Sequence, residues 1–73
     1  MRKTNMFKNI IIELHDGTKI INNPYTGLNQ MTIEGLNSCL EHTKRYYVYK
    51  DEYNYDFILD REIADIYYEE DNL

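Results

Sequence analysis

Two isoleucine-rich runs on either side of Asp16-Gly17 constrain this chain more than any other feature. Residues 8–14 (KNIIIEL) place Ile10, Ile12 and Leu14 on one face and Ile11 and Glu13 on the other, the period-2 pattern of a strand. Asp-Gly supplies the positive φ that a tight hairpin requires, and residues 18–22 (TKIIN) form the returning strand. Two registers satisfy this pattern. A two-residue turn pairs Ile12 with Ile21; a three-residue bulged turn pairs Ile12 with Ile20 and Glu13 with Lys19.

After the hairpin, residues 22–27 (NNPYTG) break the chain, because Pro24 biases Asn23 away from the α region and Gly27 removes side-chain restraint. Thr32 then caps a predicted helix over Ile33 to Thr43, with Ile33, Leu36, Leu40 and Cys39 as its apolar stripe. Glu34 suits the first turn and Lys44-Arg45 the last. Gly35 costs this helix about 1 kcal/mol relative to alanine, so packing against a sheet must hold it. Residues 46–50 (YYVYK) have strand composition, 51–56 (DEYNYD) turn, and Phe57-Ile58-Leu59 return. For residues 60–70 two readings compete: a helix capped by Asp60, or a 3₁₀ turn at Arg61 to Ala64 followed by a strand from Asp65 to Glu69. The pleat preference of Ile66-Tyr67-Tyr68 favours turn plus strand. The expected architecture is α+β, in the order β-β-α-β-β-β, with an antiparallel sheet and one helix packed on a face. Residues 1–73 form one small domain in this reading, with frayed termini that include Asp71-Asn72-Leu73.

A 73-residue chain buries only about 60% of its unfolded surface, which argues against a deep, self-contained catalytic pocket. Cys39 is the only cysteine, so no intrachain disulfide forms, and a reducing cytosol is expected. The longest aliphatic run, Ile10-Ile11-Ile12, meets Glu13 at once, too short for a membrane span or a signal-peptide core. Charge is polarised along the sequence. The net charge of −5 divides into +2 over residues 1–20, +1 over 21–50 and −8 over 51–73. A chain that repels phosphate over a third of its length is not expected to bind nucleic acid directly.

Catalytic and metal-binding readings fail on residue count. His15-Asp16 has the pairing that orients an imidazole, but it overlaps the hairpin turn, where a solvated histidine is expected. Cys39 and His42 share a helix face, yet two ligands do not make a zinc site. Asp51 to Glu62 has the length of a calcium loop, but Asp56 stands where glycine is needed. No nucleophile pattern, phosphate loop or paired-carboxylate motif is present, so neither an enzyme nor a cofactor is expected.

What remains is the last third, which carries seven of the eight tyrosines and nine of the thirteen carboxylates. Asp51, Glu52, Tyr53, Tyr55, Asp56, Glu62, Asp65, Tyr67, Tyr68, Glu69 and Glu70 interleave negative charge with phenol rings. Half of the tyrosines are expected to line the core, and the competing account of the rest is a solvated face. On strands, alternate side chains lie about 6.6–6.8 Å apart on one face, so such residues can present a row of carboxylates with rigid aromatic contact area between them. In length, acidity and this interleaving the chain resembles phage-encoded inhibitors of host defence, the anti-CRISPR proteins and other nucleic-acid mimics. That resemblance implies a cytosolic, stoichiometric inhibitor. Its partner would be a basic host protein such as a nuclease or another nucleic-acid-binding enzyme, held by these eleven residues. The abundance of isoleucine, asparagine, lysine and tyrosine suggests an AT-rich genome. The rivals are a small oligomeric ligand-binding protein, whose Lys8, Lys19, Lys44 and Arg45 would converge on ligand charge, and an antitoxin-like regulatory subunit.

Overall fold

The computed structural model describes residues 7–70. Strands β1 (Ile10–Leu14) and β2 (Lys19–Asn22) form the first hairpin, and helix α1 (Ile33–Thr43) follows. Strands β3 (Arg45–Tyr49) and β4 (Tyr55–Leu59) make a second hairpin, and a 3₁₀ turn (Asp60–Glu62) leads into β5 (Ile63–Tyr68). This is the α+β class and the β-β-α-β-β-β order that the pattern predicts. The strands divide between two antiparallel sheets, one of order β2-β1-β5 and one of β3-β4 alone. Asp71-Asn72-Leu73 lie outside the described residues. Among the described residues no helix is long and apolar enough to cross a membrane.

The first hairpin takes the bulged register, Ile12 with Ile20 and Glu13 with Lys19. Gly17 sits at φ 94°, Gly17 N–H donates to Leu14 O at 2.9 Å, and Asp16 Oδ1 accepts from Thr18 N at 2.9 Å. Those bonds close a three-residue loop, His15-Asp16-Gly17, and glycine occupies the one position where positive φ is required. The register sends Ile10, Ile12 and Ile20 inward and leaves Ile11 and Ile21 on the outer face.

β5 joins the open side of β1, pairing Ile10 with Tyr68, Ile12 with Ile66 and Glu13 with Asp65. The 3₁₀ turn starts one residue earlier than predicted and ends two earlier, and the strand likewise starts two residues earlier. A register shift at Glu13/Leu14 lets Ile63 pair with Leu14, and His15 N–H donates to Glu62 O at 3.0 Å. This keeps the half-buried Ile63 against the core, an advantage that strand propensity alone does not reveal.

α1 begins as expected. Thr32 Oγ1 accepts from Gly35 N at 3.1 Å, and Tyr68 Oη accepts the otherwise orphaned N–H of Ile33 at 3.0 Å. Its C-cap is Lys44 at φ 62°, whose N–H donates to Leu40 O at 2.8 Å. Leu36 and Leu40 from the helix meet Ile10 and Ile12 from β1 and Tyr46, Val48 and Ile58 from the second hairpin. The core is therefore a three-element junction: sheet, helix, hairpin.

Two buried asparagines seat that second hairpin. Tyr46 Oη donates to Asn22 Oδ1 at 2.6 Å and accepts from Gln30 N at 2.8 Å, while Asn22 Nδ2 donates to Gln30 O at 2.9 Å. Asn29 behaves like a strand edge. Its Oδ1 accepts from Tyr49 N at 2.8 Å and its Nδ2 donates to Tyr49 O at 2.9 Å, occupying the free side of β3. The buried polar groups are thus paired, as an interior of this size demands.

Candidate interaction surface

Strand alternation decides where the tyrosines and carboxylates of the last third go. On β3-β4, Tyr46 and Val48 point inward opposite Ile58 and Asp56. Tyr47 and Tyr49 therefore point outward opposite Phe57 and Tyr55. The four outward rings touch: Tyr47 lies 5.3 Å from Tyr55 and 5.1 Å from Phe57 by ring centroid, and Tyr49 lies 5.5 Å from Tyr55. Tyr47, Tyr55 and Phe57 each remain 41–51% exposed, although none of them belongs to the core.

This hairpin face is charged at its two ends and apolar between them. At the tip, Asp51 Oδ1 accepts from Tyr53 N at 2.8 Å and Asn54 N at 2.9 Å, and the Asn54 amide reaches both carboxylate oxygens. Those bonds, the Asn54 side chain first, hold the Asp51 carboxyl below the usual carboxylate range. Glu52 and Tyr53 beside it are exposed, Tyr53 at 85%. At the base, Lys44, Arg45 and Arg61 line one groove together with Asp60.

The remaining predicted residues fall on other surfaces. Asp56 points to the opposite face from Tyr55, with Lys50 Nζ at 3.5 Å. Glu62 caps the 3₁₀ turn, its Oε1 accepting from Leu59 N at 3.0 Å. Tyr68 turns toward the helix N-terminus, and Glu70 follows the end of β5. Asp65, Tyr67 and Glu69 do come together, on the outer face of the three-stranded sheet. Tyr67 Oη donates to Glu13 Oε2 at 3.2 Å, Asn9 Nδ2 donates to Glu69 Oε1 at 2.9 Å, and Asp65 stands directly across from Glu13. Lys19 approaches Glu13 at 3.5 Å. Among the described residues no cation pairs with Asp65 or Glu69.

The structure thus brings Asp65, Tyr67 and Glu69 together with Glu13, and places Tyr55 with Tyr47, Tyr49 and Phe57. It does not join the eleven residues on one surface, because neighbours such as 55 and 56 or 67 and 68 take opposite faces of a pleated strand. The expectation that half of the tyrosines line the core is corrected to Tyr46 alone, with Tyr49 and Tyr67 half-buried. Tyr46 replaces several rings there because its hydroxyl satisfies the Asn22–Gln30 network, and burial pushes that hydroxyl up to about 12. Tyr47, Tyr49 and Phe57 are absent from the predicted site, yet the sequence signal was present: aromatics at 47, 49, 53, 55 and 57 all share odd parity.

Asp16, Cys39 and His42, the groups with metal-binding or acid–base chemistry outside this third, make local contacts. Asp16 accepts from Thr18, and that bond lowers its carboxyl, while His15 is exposed in the turn. His42 Nδ1 lies 2.7 Å from Ser38 O, and Cys39 Sγ 4.0 Å from Thr43 Oγ1. Among the described residues no group of three or more His, Cys, Asp or Glu side chains is arranged to hold a metal ion. Comparison of the chain with protein-family models, with curated proteins and with solved structures gives no match.

Proposed function

We propose that this protein is a non-enzymatic inhibitor that binds a basic, nucleic-acid-handling protein such as a nuclease through the outer face of its three-stranded sheet. The observation that carries this reading is the excess of carboxylates over paired cations on that face among the described residues. Asp65 stands opposite Glu13, a like-charge cross-strand pair that costs the fold stability, and among the described residues Lys19 pairs with Glu13 and no cation pairs with Asp65. Glu69 continues the row on the same strand face, at a spacing of about 6.6–6.8 Å per alternate residue. A partner groove lined with arginine and lysine, built to hold phosphates, supplies the missing cations, and Tyr67 offers it an aromatic ring. This fits the resemblance to phage-encoded inhibitors of host defence, and it needs no chemistry from the bound protein.

The test is displacement of a fluorescent oligonucleotide from a basic nuclease by the protein, titrated at low and physiological salt. Wild type displaces the oligonucleotide more weakly as salt rises, and Asp65→Lys with Glu69→Lys lowers the apparent affinity at least about tenfold. An affinity unmoved by the double reversal rules out this face.

A further inference from the structure

The outward face of β3-β4 is unexplained by the fold. Its inner residues Tyr46, Val48 and Ile58 complete the core, but Tyr47, Tyr55 and Phe57 cover nothing, and the neighbouring Leu28 is 80% exposed. Leu28, Tyr47 and Tyr49 line one open groove with Arg45, Gln30 and Thr43, so the ring face of the hairpin adjoins the loop before α1. Contiguous rings at a surface mark a place where another body packs.

The charge pattern identifies that body. Going down the hairpin from tip to base, the face reads acid (Asp51, Glu52), aromatic (Tyr53, Tyr55, Tyr49, Tyr47, Phe57), then predominantly base (Arg45, with Lys44 and Arg61 beside it and Asp60 the one carboxylate in that groove). None of Glu52, Lys44, Arg45 and Arg61 has a salt-bridge partner among the described residues. A uniformly basic partner would meet repulsion at the base of the hairpin, and a uniformly acidic one at its tip. A copy of the same face rotated by a two-fold axis near the Tyr47–Tyr55 contact, midway between Arg45 and the tip, meets neither. Its acidic tip falls on the basic end, its basic end on the tip, and the rings stack on rings.

We infer that this face is a self-association surface, on which the β3-β4 hairpin of a second copy lies antiparallel with its aromatic side against the first. A two-fold contact is isologous, so every residue serves twice, and a short hairpin supplies eight packed rings from four. The contact also gives a 73-residue chain a second apolar layer that its own length cannot build. Glu13, Asp65 and Glu69 lie on the other sheet, so pairing through the hairpin is independent of the inhibitor reading.

Sedimentation equilibrium of the full chain tests this. The monomer is 8.9 kDa, and a species of twice that mass is expected to dominate by about 100 μM. Tyr47→Ser with Phe57→Ser removes rings outside the core, so far-UV circular dichroism stays unchanged while dimerisation weakens at least about tenfold. Should that variant lose its fold, the charge swap carries the test. Glu52→Lys weakens the dimer, and adding Arg45→Glu to it restores association, because each reversed tip then meets a reversed base. Asp65→Lys with Glu69→Lys leaves the dimer intact, which separates this inference from the inhibitor reading. A chain that stays at 8.9 kDa throughout, or a dimer indifferent to both the ring removals and the charge swap, overturns it.

Discussion

Tyr46→Phe removes one oxygen atom and is expected to remove about half the stability of the protein. The phenylalanine ring keeps the volume of the core, so no cavity forms and the loss isolates the hydroxyl. That hydroxyl sits where three elements meet, donating to Asn22 at 2.6 Å and accepting from Gln30 N at 2.8 Å. Asn22 has no exposed surface, so its Oδ1 cannot turn to water when the donor goes. Two buried bonds at about 1–1.5 kcal/mol each give a cost of about 2–3 kcal/mol, against about 5 kcal/mol expected of a domain this small. In urea unfolding followed by circular dichroism, the midpoint should fall by about 2 M with the slope unchanged. Tyr47→Phe is the control: its hydroxyl makes no protein hydrogen bond among the described residues, and its effect should stay within about 0.5 kcal/mol. A midpoint shift for Tyr46→Phe no larger than that of the control refutes the argument, since it would mean that the hydroxyl is not what ties β2, the 23–32 loop and β3 together.

The same group makes stability depend on alkaline pH. Burial raises the Tyr46 hydroxyl from an ordinary 10 to about 12, so its contribution is complete below pH 10 and is lost as pH climbs from there toward 12. Over that interval the difference between wild type and Tyr46→Phe should shrink by about 1.4 kcal/mol per pH unit, and a difference constant to pH 11.5 contradicts the shift. Lys44→Gly relieves a side chain held at φ 62° at the helix C-cap and should stabilise the protein by about 0.5–1 kcal/mol, seen as a melting temperature higher by several degrees. An unchanged or lower melting temperature shows that the left-handed turn costs lysine nothing here.

The elements were legible because each carried its own local signal. Asp16-Gly17 marked a turn, Thr32 a cap and Leu36/Leu40 a helix stripe, and each signal lies within a few residues of what it specifies. The first register was open in the sequence because Ile20 and Ile21 suit the inner face equally well. Gly17 at φ 94° and the bond from Gly17 N to Leu14 O decide between them. The early start of β5 was not legible, since it depends on a register shift against a strand fifty residues away. The division of the candidate residues among faces was not legible from composition. Composition marks the aromatic and acidic third but treats it as one surface, whereas parity along each strand sorts Tyr55 from Asp56 and Tyr67 from Tyr68.

That sorting bears on what the protein's surfaces are for. A tyrosine retained for folding should be where folding uses it, as Tyr46 is in the core and Tyr68 at the cap of α1. Tyr47, Tyr55 and Phe57 meet no such need: they form no part of the core, and the hairpin beneath them is already fixed by Tyr46, Val48, Ile58 and the Asn29 clasp. The Glu13–Asp65 pair goes further, since it stands against cross-strand stability. Groups that a fold does not require, or that work against it, point to contacts made outside the chain. The two sets lie on different sheets and differ in kind, one aromatic with ends of opposite charge, the other anionic and, among the described residues, with a single paired cation. One surface suited to a second copy and another suited to a basic partner account for both without asking either to do the other's work.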